Sequence, residues 1–196
     1  MTNSEIRSDA VNVKAKPERP RPQIVENYRD FAPPPWLKTI IERALDSVPA
    51  NYLAGLKTVV LTNQSALTRD QRRQKIWQRS KTHRLADARG AYYRATRSRP
   101  ASVWLYIDNI MRPLGPCYFR VPIVGVIEFT EVLFHEIGHH IHTVHKPVYD
   151  GKENIAEDWS KKLLGRFVRR RYWYAMPVVY PIATAFNLAK KIKRNF

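Results

Sequence analysis

The stretch Glu131–His145, EVLFHEIGHHIHTVH, sets the tightest condition on what this chain can become. Val132, Leu133, Phe134, Ile137 and Ile141 demand burial, and no proline lies between Pro122 and His145, so the spacing predicts a long, mostly buried helix over 123–145. Set into it are His135, Glu136 and His139, the pattern HExxH. Residues four apart lie on one face of a helix, one turn from each other, so the two imidazoles can converge on one ion with a carboxylate beside them. Two imidazoles, a third protein ligand and a water suit Zn2+, which draws the pKa of its water towards neutrality while the adjacent carboxylate takes the proton. That is the chemistry of peptide-bond hydrolysis, with Glu136 as general base and acid. Gly138 would let such a helix pack closely against a neighbour.

The third ligand has more than one candidate. Downstream, ENIAEDWSKKLL opens a second predicted helix, from near Glu153 to about Arg171. Glu153 and Glu157 are again four apart, so one can coordinate while the other, one turn on, accepts a hydrogen bond from a ligand imidazole. His145 stands six residues after His139; on an unbroken helix it lies about 240° round from it, so coordination there needs a break. His142, three residues after His139, is near the metal face, in a supporting or a surface role. Glu131 lies four before His135 and reads as a solvated carboxylate.

An HExxH helix followed by Glu153, Ala156, Glu157, Trp159 and Ser160 resembles the gluzincin metallopeptidases, whose glutamate helix has the type E-x-x-A-D/E with an aromatic and a small residue next. The likeness covers roughly residues 36–165 and is greatest to the small single-domain forms, the minigluzincins. Departures are Glu157 where aspartate is commoner and the short interval from His139 to Glu153. The resemblance implies an α+β zincin-like fold with a small mixed sheet, an edge strand, an active-site helix and a glutamate helix. It implies Zn2+ on His135, His139 and Glu153, with Glu157 supporting or replacing Glu153. It also implies a polypeptide substrate laid along the candidate edge strand VWLYID, Val103–Asp108, and a group that stabilises the oxyanion. Tyr149, Tyr172, Tyr174 and Arg166 are within sequence reach for that task, and nothing in the sequence selects among them. His145 instead matches the interval of the metzincins, which place glycine where this chain has His142; Met176, in YAMP, faintly echoes the methionine turn of that family.

Elsewhere the pattern is simpler. Residues 1–35, rich in proline and arginine, read as a disordered tail, 36–171 as the zincin-like domain and 172–196 as a basic and apolar helical segment. Trp36, Leu37, Ile40, Ile41, Ala44, Leu45 and Val48 recur at helical spacing after three prolines. Leu56–Thr62 reads as a strand, and Ala91–Thr96 with Val103–Asp108 as a hairpin. Between them, Thr68–Leu85 begins with a capping box, Thr68 and Gln71, and reads as an exposed helix or a mobile insertion.

Charge is segregated from this chemistry. The chain holds 34 Lys and Arg against 17 Asp and Glu, a net charge of +17. Residues 68–99 hold 11 basic side chains and residues 161–196 hold 10, with no acid in the second group. Both segments are candidates for contact with nucleic acid or an anionic membrane surface. A second function class follows: a nucleic-acid-binding or regulatory protein with a structural or sensing metal. A hydrophobic content of 44% excludes disorder throughout. A single cysteine, Cys117, excludes an intramolecular disulfide, and the first residues lack a signal-peptide pattern, so the expected compartment is the cytoplasm, with membrane or DNA association through the basic segments. Tyr172–Ala189 is uncharged and long enough to span a bilayer, but Pro177 and Pro181 argue against a spanning helix.

Overall fold

The computed structural model describes residues 21–78, 81–113, 122–145 and 152–175. In chain order the strands are β1 (Gln23–Asn27), β2 (Leu56–Thr62), β3 (Lys75–Gln78), β4 (Lys81–Arg84), β5 (Gly90–Tyr93) and β6 (Ala101–Tyr106). The helices are α1 (Leu37–Ser47), α2 (Arg69–Arg73), α3 (Ile107–Met111), α4 (Pro122–His145) and α5 (Lys152–Arg171). The result is an α+β arrangement. Its four-stranded mixed sheet has the order β1-β2-β6-β5, in which β1, β2 and β6 run parallel and β5 runs antiparallel to β6.

The β-branched run LKTVVLT forms β2, and its position between two parallel neighbours buries Val59, Val60 and Leu61. Parallel strands covered in this way need apolar residues at nearly every position. The apolar stripe of α1 (Leu37, Ile40, Ile41, Ala44, Leu45) and that of α4 enter one core with β2 and β6. Trp36 meets Phe129 of α4 edge to face, with centroids 6.0 Å apart.

Four expectations need correction. The tail does not extend to residue 35. Gln23–Asn27 joins the sheet as β1, pairing in parallel with Thr58–Thr62, and the Asn63 side chain bonds both the amide and the carbonyl of Arg29 just beyond it. QIVEN carries little strand signal of its own because its place is set by main-chain pairing with β2, which composition does not report. In Thr68–Leu85 the capping box forms as expected, but the helix stops at Arg73 and an antiparallel pair, β3 and β4, follows. The strand at 103–108 ends at Tyr106. Asp108 accepts hydrogen bonds from the amides of Gln64 and Asn109, and the chain turns there into α3. Finally, β6 is an interior strand between β2 and β5, so VWLYID is not the edge; among the described residues the edge on that side is β5, GAYY. The hairpin itself is present, turning through Thr96–Arg99.

Of the C-terminal segment, the structure describes Tyr172 and the turn Trp173–Ala175; the remainder lies outside the described residues, as do residues 1–20, Cys117, Tyr149 and Met176. Among the described residues, no helix is long and apolar enough to cross a membrane.

Candidate metal centre

Two stripes of α4 face two different neighbours. Gly138 lies against α5 at Ala156: a Cβ on Gly138 would stand 2.7 Å from the Ala156 carbonyl oxygen and 2.8 Å from its Cα. Two helices approach so closely only where one presents no side chain and the other a methyl group. The register of the crossing follows. Ala156, Ser160, Leu163 and Phe167 form the buried stripe of α5, Ser160 Oγ donates to the Glu131 carbonyl at 3.1 Å, and Phe167 meets Phe134 with centroids 6.0 Å apart.

One turn before Ala156 on the same stripe is Glu153, and the crossing carries it to His135 and His139. Ligand atoms of the three residues lie within 4.8 Å of one another. The Glu153 carboxylate straddles the imidazoles, with Oε2 3.6 Å from His135 Nε2 and Oε1 3.6 Å from His139 Nε2. Two donors bound tetrahedrally to one zinc at about 2.0–2.1 Å would stand about 3.4 Å apart, so the observed separations fit a common ion with little movement. The donor set fits too: two imidazoles and a carboxylate are hard enough for zinc and leave a fourth position for water. His135 is buried and His139 and Glu153 are partly exposed, which gives the cluster one side open to solvent.

Of the two glutamates, Glu153 is the one that the fold brings to His135 and His139. Glu157 is exposed and pairs with Lys161 at 3.0 Å, one turn along the outer face of α5. The α4 backbone stays helical through His145, so the break that a ligand there requires is absent; its side chain lies outside the described residues. His142 is buried and is not among the three residues brought together. Glu131 is exposed, as expected. The proposed oxyanion groups do not reach the centre: Arg166, Tyr172 and Tyr174 stand 13 or more residues beyond Glu153, about 20 Å or further along the helix axis.

The other stripe of α4, Glu128, Val132, Glu136 and His140, faces β5. Arg89 pairs with Glu128. A Cβ on Gly90 would lie 2.7 Å from Glu136 Oε1 and 2.9 Å from Val132 Cγ1, so glycine is what lets the strand pass over the helix. Glu136 is 2% exposed, with Gly90 directly over it. His140, 1% exposed, completes the stripe: Nδ1 is 3.2 Å from the Tyr92 hydroxyl and Nε2 is 3.0 Å from the Ala54 carbonyl oxygen. These anchors hold β5 alongside α4 at four-residue intervals.

His140, Tyr92 and Gly90 were not found by reading the sequence. The four-residue spacing from Glu136 could have placed His140 on this face, and a glycine opening a strand marks a close backbone approach. Tyr106, wholly buried at the end of β6 among Leu67, Leu85 and Ala88, also escaped notice; burial holds its phenol well above the ordinary tyrosine range, with the neighbouring Tyr93 and Glu136 pushing the same way. No protein-family model, no curated protein and no solved structure matches the chain.

Proposed function

We propose that this chain is a zinc-dependent metallopeptidase of the gluzincin kind, with His135, His139 and Glu153 as the metal ligands. The observation that carries this reading is the convergence of those three side chains from two helices, with Glu136 next in sequence to one ligand and under the edge strand. Bound zinc supplies Lewis acidity, which makes water nucleophilic near neutral pH. Glu136 takes the proton of the attacking water and returns it to the leaving amine nitrogen, a task suited to a carboxylate held out of bulk solvent. An extended polypeptide adds to the outer edge of β5, main chain to main chain, so that its scissile bond passes beside Glu136. Gly90–Tyr93 thereby replaces Val103–Asp108 as the substrate strand.

The test is metal content and hydrolysis of unstructured polypeptide by the same preparations. Wild type binds one zinc and hydrolyses; Glu153→Ala loses the zinc, and Glu157→Ala keeps it. Glu136→Gln keeps the zinc and loses roughly 100-fold or more in turnover. Equal hydrolysis by wild type and Glu136→Gln would sink the reading, and metal held without any hydrolysis would favour a structural or sensing site.

A further inference from the structure

The far end of α5 carries a different kind of surface. From Lys161 onward the exposed positions of this helix are Lys161, Lys162, Arg166, Arg169, Arg170 and Arg171, and no acid follows Asp158. A helix C-terminus bears about half a negative charge, which one or two cations satisfy, so dipole compensation accounts for only part of this group. Arg170 and Arg171 join Arg43 of α1 around a surface cavity of about 230 Å3 that Asp46, Ser47 and Phe167 complete. Its one carboxylate, Asp46, is already engaged by Arg21 at 3.0 Å. Three guanidiniums therefore share a cavity with one carboxylate, which Arg21 also pairs from outside it, and the excess of positive charge is large.

Beside this cavity the chain turns. The Tyr172 amide bonds the Val168 carbonyl at 2.7 Å and its ring packs on Phe167, with centroids 5.7 Å apart. Trp173 and Tyr174 then stand in solvent, 71% and 65% exposed; Val144 is the one other exposed large apolar side chain among the described residues. The sequence runs on uncharged to Ala189, followed by Lys190, Lys191, Lys193 and Arg194. Indole and phenol rings next to guanidiniums are the pairing that headgroup-level contact with a bilayer selects, rings at the interface and cations on lipid phosphates.

We propose that the C-terminal end of α5, with Arg43, Arg170, Arg171, Trp173 and Tyr174, is a docking site for an anionic phospholipid bilayer. Charge complementarity and the adjacent exposed rings favour a membrane over nucleic acid: among the described residues the exposed large rings, Trp173 and Tyr174, stand beside this basic group, whereas the basic segment 68–99 mixes its exposed cations with the exposed acids Asp70 and Asp87 and shows no exposed large ring. Glu153 lies 18 residues from Arg171, about 27 Å along the axis of α5, so the docking site and the His135–His139–Glu153 cluster stand at opposite ends of one helix. The docking proposal is independent of the hydrolytic reading, because neither needs the other's residues.

The full chain is sedimented with vesicles of phosphatidylcholine alone and of phosphatidylcholine with phosphatidylserine. Binding is expected to the second only, and to weaken as salt rises. Because a net charge of +17 draws any basic chain to anionic vesicles, the decisive comparison is between variants. Arg170→Glu with Arg171→Glu, and separately the uncharged change Trp173→Ser with Tyr174→Ser, should each weaken binding about tenfold. Arg97→Glu with Arg99→Glu, an equal change of charge, should leave it within about twofold. Circular dichroism and unfolding in urea show that the variants fold. Equal losses from both charge reversals, or no loss from the aromatic pair, would overturn the proposal. So would displacement of vesicles by millimolar inorganic phosphate, which would make the cavity a free-phosphate site, or by a short DNA duplex.

Discussion

At its N-terminal end α5 sets Glu153, Ala156 and Ser160 against α4, while at its C-terminal end it carries Arg169, Arg170 and Arg171 in solvent. The first end is governed by distance. Ala156 touches the backbone of α4 at Gly138, so a single added carbon moves one helix and with it Glu153. The second is governed by the amount of charge, and there each side chain can be exchanged without displacing a neighbour. Position thus matters where backbones meet, and composition where water intervenes.

The largest effect that would break this contrast is Gly138→Ala. Its methyl meets the Ala156 main chain, which cannot rotate away, so unfolding in urea should show a loss of about 1–3 kcal/mol. Zinc titration should show weaker binding, because the crossing that aims Glu153 is displaced. Gly90→Ala is next. Its methyl meets the Glu136 and Val132 side chains, which can yield, so stability should fall by about 1 kcal/mol while hydrolysis falls with zinc content unchanged.

Alkaline titration sharpens the comparison further. The Tyr106 phenol, buried at the end of β6, has its folded pKa raised above the ordinary value of about 10, so the stability it lends is complete below about pH 10 and drains as pH rises beyond that. Denaturant midpoints measured across that range should fall, and Tyr106→Phe should flatten the fall. Tyr92→Phe removes the hydroxyl that meets His140 Nδ1 and should cost about 0.5–1.5 kcal/mol. The smallest effects belong to the exposed faces: Glu157→Ala, which breaks the pair with Lys161, and Arg170→Gln should each change unfolding free energy by less than about 0.5 kcal/mol.

Much of this was legible before any coordinates. The helix containing HExxH, the helix from Glu153 to Arg171, the strand Leu56–Thr62 and the capping box at Thr68 all rest on spacing within a few residues, and each forms. Gly138 was marked as a point of close packing, and it is one. What escaped was relational. The strand QIVEN has too few apolar residues to announce itself and exists through its pairing with β2. Arg166, Tyr172 and Tyr174 follow the metal helix in sequence, yet a straight α5 carries them away from it.

The sequence by itself determined that His135 and His139 share a face with Glu136 beside them, because the helical repeat leaves no other arrangement for that spacing. It also determined that positive charge is segregated from that face. Tertiary structure decided which glutamate joins the histidines and which strand lies open beside Glu136. Glu153 and Glu157 are both acids on one helix, and their difference arises from where α5 crosses α4, with Gly138 and Ala156 letting the backbones touch. Likewise β5 and β6 both read as strands, and only the pairing of β6 with β2 on one side and β5 on the other makes GAYY the edge. Angles along a helix follow from local bonds, whereas distances between elements depend on which side chains are small enough to let them meet.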